Sequence, residues 1–322
     1  MTALEHLESR PHVHLVTAVV WRVLLLACMI CVARPCRAQA LDQDMAQPFA
    51  ENPAGYVSPF TVDTGWTLRK IVAGGFVSGL FAGSMIDSYY AWWQKREGSF
   101  LFHEDGWFGE KNTGVDKLGH LFTSHFYFHT MYDAMRWGGF DHNASLWGSA
   151  AVTFGFAVLV EVGDGTTTLG FDYQDLVYNT AGLVYGMLQR QYPVLNTFRV
   201  KWSYVPAEGY VFPPRFTEHY DAHTYWLAVR VNDFLPESLD RWWPDALQLA
   251  VGWSVRDHYT AWNHAPGTGE FVVGLDLDLG AWPISQRELH LAQRVVNHFH
   301  VPMPAVTFSR GHTPSWHVLQ LR

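Results

Sequence analysis

Between Leu68 and Tyr192 apolar residues recur at helical spacing in four runs, and after about residue 220 the spacing drops to two. The helical runs are "LRKIVAGGFVSGLFAGSMIDSYYAWW" (68–93), "DKLGHLFTSHFYFHTMYDAMRW" (116–137), "ASLWGSAAVTFGFAVLVEVGDG" (144–165) and "DLVYNTAGLVYGMLQRQY" (175–192). Each is long enough for a helix and ends in Gly, Pro or polar residues. The period-two runs are "HTYWLAVRV" (223–231), "LQLAVGWSVRD" (247–257), "FVVGLDLDLGAW" (271–282) and "WHVLQLR" (316–322). They predict antiparallel strands with one face buried. In "VGLDLDLG" the alternation puts Leu275, Leu277 and Leu279 on one face and Asp276 and Asp278 on the other, and the aspartates read most simply as a solvent face. "SQRELHLAQRVVNHF" predicts one helix among the strands. The fold class expected is α+β: about four apolar helices as a bundle at 65–192, then a β-rich antiparallel part at 193–322. No internal repeat or low-complexity tract interrupts this.

Glycines recur in the helical runs at 74, 75, 79, 83, 148, 155, 182 and 186. A glycine costs about 1 kcal/mol against Ala inside an exposed helix. Their number therefore predicts close packing, against other helices or in a bilayer. The first and third runs are apolar enough to consider membrane insertion, although Ser78, Ser84, Asp87, Thr153 and Glu161 interrupt them.

The N-terminus changes the compartment. "VLLLACMICVA" (23–33) follows Arg22 and precedes Ala38-Gln39-Ala40, the order of a secretory signal peptide ending near residue 40. Residues 41–64 hold scattered Pro, Gly and Asn, as a linker does. "LLAC" loosely resembles a bacterial lipobox, but it lies inside the apolar run and ranks below simple cleavage. All three cysteines fall in this leader, so cleavage leaves neither a disulfide scaffold nor a thiol nucleophile. The net charge of -8 argues against a nucleic-acid partner, and the 15 Trp, 14 Tyr and 21 Phe suit either a membrane interface or an aromatic core. An exported protein is expected, in the periplasm or envelope membrane of a Gram-negative bacterium, with membrane lipid or another envelope component as partner.

The chemistry lies in "TGVDKLGHLFTSH" (113–125). Asp116 and His120 are four apart and share a helix face, which Ser124 continues. The third run ends with Glu161 and Asp164, and the fourth opens with Asp172, Asp175 and Asn179. Antiparallel packing would gather these at one end, with Lys117 nearby. Asp116, His120, Glu161 and Asp175 are the candidate catalytic residues; Lys117, Asp164 and Asn179 are candidates for ligand binding. Carboxylates with a neutral His suit a divalent metal or shared proton transfer. The plain alternatives are a capping box from Thr113 to Asp116, an N-cap at Asp172, or a buried structural network. The residues leave open whether the chain is an enzyme.

Three elements carry a family resemblance: D-K-x-G-H (Asp116, Lys117, Gly119, His120), E-x-x-D-G (Glu161, Asp164, Gly165) and G-F-x-x-x-D-x-x-x-N-x-x-G (Gly170, Phe171, Asp175, Asn179, Gly182). With the aromatic run before them, they resemble the YfiM-like family of predicted periplasmic lipoproteins. The likeness extends loosely to residue 322 through "YWLAVRVNDFLP" and "LQLAVGW". More distantly, the pattern is similar to VanZ-like membrane proteins. The resemblance implies an envelope location and no particular reaction. Two functions are therefore expected in competition. One is a membrane-associated envelope protein whose polar cluster organises the bundle or binds a head group. The other is a metal-dependent or acid–base enzyme acting on envelope lipid or glycan. A small outer-membrane barrel is a weaker reading, because natural single-chain barrels begin at about eight strands.

Overall fold

The computed structural model describes residues 65–94, 98–108, 112–206, 219–257 and 266–320. The expected signal peptide and linker lie outside these. All four helices form: α1 is Leu68–Ser88, α2 Val115–Gly138, α3 His142–Asp164 and α4 Tyr173–Gln191. A π-helical turn, Tyr89–Trp93, extends α1. Caps explain the boundaries. Thr67 accepts from the Lys70 N–H, Asp141 from Ala144 and Asp172 from Gln174. Helix α2 stops at Gly139 (φ 94°), whose N–H and that of Phe140 close on Arg136 and Met135.

The start of α2 departs from the expected capping box. Its N-cap is Gly114 at φ 85°, and no side chain caps it. Asn112 accepts from the Gly114 N–H (3.1 Å), leaving Asp116 free to point elsewhere.

Helix α2 is the centre of the bundle, packed by α1, α3 and α4. Phe128, Tyr132, Leu146, Ala150 and Leu183 form its core. The glycines divide into two groups. A Cβ on Gly182 would lie 2.0 Å from the Leu121 carbonyl oxygen, so α2 and α4 touch there backbone to backbone. A Cβ on Gly74, Gly75, Gly79 or Gly83 would meet nothing within 4 Å. The α1 glycines are thus not spent on packing among the described residues, so helix–helix contact, one of the two uses expected of them, does not account for them. Of α1 only Ala73, Val77 and Ser88 are buried, whereas Leu68, Ile71, Val72, Phe76 and Ile86 are exposed.

Six antiparallel strands follow: β1 Phe198–Tyr204, β2 His223–Arg230, β3 Leu247–Arg256, β4 Thr268–Leu277, β5 Ala305–Ser309 and β6 Ser315–His317. They pair in sequence order. Helix α5, Arg287–Val296, sits between β4 and β5 as expected. Just before β5 the chain returns to the free edge of β1. There the Trp202 N–H donates to His298 O (3.0 Å) and the His300 N–H to Trp202 O (2.9 Å). The sheet therefore curls back on itself.

The strand alternation holds, but its faces are inverted. Gln248/Asp276, Ala250/Gly274 and Gly252/Val272 pair on the enclosed face; Leu249/Leu275, Val251/Val273 and Trp253/Phe271 pair on the outer face. Asp276 and Asp278 are buried, not solvent-facing as the pattern suggested. The reason is charge compensation. Lys201 reaches Asp276 at 2.6 Å, His300 lies 3.2 Å away and the Val301 N–H donates at 2.9 Å. Trp226 stacks on His300 with ring centres 3.9 Å apart. Small residues (Ala228, Ala250, Ala305) leave room for these groups inside the curl. Phe122 and Phe126 of α2 cover one end of the outer face through Trp202, Tyr225 and Phe299. Leu249, Val251, Phe271, Val273 and Phe308 remain exposed.

Candidate functional site

The N-terminal end of α2, the C-terminal end of α3 and the start of α4 meet, as antiparallel packing requires. They bring Asp116, His120, Glu161 and Asp175 together. His120 Nε2 lies 3.6 Å from Asp175 Oδ2 and 3.9 Å from Asp116 Oδ2, and its Nδ1 is 3.8 Å from Glu161 Oε1. None of these is a hydrogen bond.

Each of the three facing side chains is held from behind. Asp116 Oδ1 accepts from the Tyr220 hydroxyl (2.8 Å). Asp175 Oδ1 accepts from Lys117 Nζ (2.6 Å). His120 Nδ1 meets Asn179 Nδ2 (3.0 Å), and Asn179 Oδ1 accepts from Ser124 (2.8 Å). The atoms left over, His120 Nε2 and one oxygen each of Asp116 and Asp175, lie within 4.8 Å of one another and could hold a metal ion. Their side chains keep 21%, 18% and 13% of their surface open, so solvent reaches them.

The other four expected residues lie behind this face: Asn179, already placed against His120, and Lys117, Asp164 and Glu161. Lys117 is buried and bridges Asp172 (2.8 Å) and Asp175. Its Nζ also lies 3.9 Å from Asp116 Oδ2. Asp164 accepts from the Trp93 indole (2.7 Å), tying the turn after α1 to α3. Glu161 is buried and accepts from the Asp172 N–H (3.3 Å). It thus serves the α4 N-terminus from another helix, while Asp172 caps from within. Asp175, three residues further on, turns to Lys117.

Burial and mutual repulsion set the charges. Burial works against the His120 cation, but Asp175, Asp116 and Glu161 outweigh it and push its pKa up to about 9. Burial, opposed by His120 and aided by Asp175 and Asp164, raises Glu161 to about 8. Asp175 and Asp164 rise to about 6, again chiefly through burial. Lys117 and Asp175 share one bond, yet both move upward. Burial opposes the Lys117 charge, but Asp116, Asp175 and Asp172 together overcome it. The carboxylates, conversely, compete for that single ammonium. Asp172 stays ionised and moves downward despite burial, because it also accepts from Lys117 and from the Gln174 and Asp105 N–H groups. Asp175 faces Asp116 instead, so a proton is more welcome there.

Tyr220 and Trp93 were not foreseen as site residues. They come from 104 and 71 residues away from their partners in the chain, and no local spacing signals such pairs.

Residues 104–191 match the family model described as Predicted periplasmic lipoprotein (DUF2279). The chain is an exported cell-envelope protein. The matched stretch holds the whole Asp116–His120–Glu161–Asp175 cluster and ends with α4, in agreement with the resemblance read from D-K-x-G-H and the elements after it. No curated protein and no solved structure matches the chain. The envelope assignment therefore stands on this family, and the chemistry on the site.

Proposed function

We propose that this envelope protein is membrane-associated and holds a divalent cation on Asp116, His120 and Asp175, for metal-assisted acid–base chemistry on an envelope lipid or glycan. The observation that carries the reading is the convergence of three donor atoms that make no hydrogen bond, each on a side chain oriented by a second group, with Lys117 Nζ 3.9 Å from Asp116 Oδ2. Such outer partners are what fix metal ligands in place. Two carboxylate oxygens and one imidazole nitrogen suit a hard or borderline divalent ion. The Asn179 amide can turn to accept from His120 Nδ1–H, because the Ser124 hydroxyl serves equally as donor or acceptor. Cation binding would displace the proton that the raised pKa keeps on His120, and Nε2 would then supply its lone pair. Glu161, protonated near neutral pH and 3.8 Å from the imidazole, is the neighbouring proton donor or acceptor. A bound cation would polarise a phosphoryl or carbonyl oxygen.

Membrane association rests on exposed apolar surface. α1 with its π-helical extension, and α3, are long and apolar enough to cross a membrane. α1 exposes Ile71, Val72, Phe76 and Ile86, and α3 exposes Trp147, Phe154 and Leu159.

A purely structural network is the second reading, favoured by the full engagement of Lys117, Asp164 and Asn179. Metal content of the purified protein separates the two. Wild type is expected to carry about one divalent ion per chain, and folded His120→Ala and Asp175→Asn variants to lose it. Metal-free wild type after incubation with zinc, manganese or magnesium would leave the structural network standing.

A further inference from the structure

About two and a half turns further along α2 from His120, a second polar region opens between the bundle, β1, β2 and α5. It is a cavity of about 420 Å³. Four arginines line it, Arg190, Arg199, Arg230 and Arg294, and Asp133 and Asp278 are each shared between two of them. Asp133 takes both Arg190 (3.0 Å) and Arg294 (2.8 Å) in tight pairs. Asp278 is less tightly paired: Arg199 stands 3.5 Å away and Arg230 3.9 Å. Asp278 also accepts from Asn297 (2.8 Å). The Nε atoms of Arg199 and Arg230 have no hydrogen-bond partner among the described residues. Asp233 also faces Arg230, at 3.6 Å, and takes the Thr197 hydroxyl. Asp240 and Asp245 line the cavity too, and exposed Asp245 is already bonded by Asn232 (2.8 Å).

Two histidines of the same wall, His125 and His129, are buried beside these arginines. Gln189 Oε1 accepts from Nε2 of both His125 (2.7 Å) and His129 (3.0 Å), and His129 Nδ1 accepts from Arg190 (2.5 Å). Both rings are therefore neutral. Burial is the main cause of their lowered pKa values, and the nearby arginines add to it at His125, His129 and His298.

We propose that this cavity is an anion site that binds a phosphate group, with Arg199 and Arg230 as its principal ligands. Guanidinium groups present paired donors that match phosphate oxygens. Here two of them have loose carboxylate partners and an Nε–H that makes no hydrogen bond, while Arg230 also donates to the Asn196 carbonyl oxygen (3.2 Å). The volume admits a phosphate with part of the group that carries it. That group can be a lipid head or a soluble phosphate ester, and the shared chemistry is the phosphate.

Calorimetric titration of the full-length protein, kept in chelator, tests the proposal with inorganic phosphate and glycerol phosphate. Co-sedimentation with phosphatidylcholine vesicles, with and without phosphatidic acid, adds the lipid arm. Saturable phosphate binding is expected, weakened about tenfold or more by Arg199→Gln or Arg230→Gln, as loss of a charge-assisted pair implies. Arg199→Lys, which keeps the charge on a partly exposed side chain, should fall between. Asp175→Asn should leave this binding unchanged, which separates it from the metal site. Soluble binding alone points to a soluble ester, and Arg199-dependent sedimentation with phosphatidic acid to a lipid head. Absence of binding in the millimolar range in every arm, or binding equal in wild type and folded Arg199→Gln, overturns the proposal.

Discussion

At the scale of single residues, the site stores protons. His120 and Glu161 have folded pKa values of about 9 and 8, above their ordinary 6.5 and 4.5. A group with a raised folded pKa contributes stability that is present below its unfolded pKa and lost as pH rises through the folded one. Glu161 therefore loses its contribution between pH 4.5 and 8, and His120 between 6.5 and 9. Below 6.5 the neutral histidines His125, His129 and His298 act with the opposite sign, since unfolding lets them charge. Stability of the metal-free protein should accordingly fall from pH 6.5 to 9, read from urea midpoints in chelator at constant ionic strength. Glu161→Gln should make that slope shallower. A flat profile in wild type would mean these groups are not charged as described. The Asp116–His120 pair was legible because i and i+4 share a helix face, and Ser124 was placed the same way. Their orienting partners Tyr220 and Asn179 come from other elements. Only the antiparallel packing of α3 and α4 was available to suggest Asn179, and nothing suggested Tyr220.

At the scale of elements, glycine has two meanings that composition does not distinguish. Gly182→Ala would drive a methyl into the Leu121 carbonyl, which is backbone and cannot swing aside. Such overpacking should cost about 1–3 kcal/mol. Gly79→Ala meets open space, and should instead stabilise α1 by roughly 0.5–1 kcal/mol through helix propensity. Thermal unfolding of the two variants beside wild type checks both signs, and equal shifts would contradict the close approach. The helices were readable because a period near 3.6 persists over 19 or more residues. Strands β1 and β5 were not read. β1, "FRVKWSY", carries Arg199 and Lys201 at its inward positions, where an apolar residue is the usual signal. β5 is five residues long and contributes little pattern.

At the scale of the whole molecule, apolar surface faces outward on α1, on α3 and on the outer side of β3 and β4. We propose a lipid contact for this surface, since large exposed apolar patches mark protein or membrane interaction sites. The purified protein should float with phosphatidylglycerol-containing vesicles in a density gradient. A variant with Ile71→Asp and Phe76→Asp should lose most of the floated fraction while keeping its far-ultraviolet circular dichroism. Equal flotation of both would remove α1 from the contact.

The sequence by itself determined the α+β order, the four helices, the period of β2, β3 and β4 and the gathering of Asp116, His120, Glu161 and Asp175; of "WHVLQLR" only Trp316 and His317 lie in a strand, β6. Helical and strand periods are local, and short loops between antiparallel helices leave little freedom in which ends meet. Which face of the sheet is enclosed was decided only by tertiary structure. An alternating strand has the same period whichever side is covered, and Asp276 is enclosed because Lys201 and His300 arrive from distant positions to balance it. The arginine-lined cavity was decided the same way. Arg190, Arg199, Arg230 and Arg294 belong to four different elements or turns, and only the docking of the bundle on the curled sheet brings them around one space.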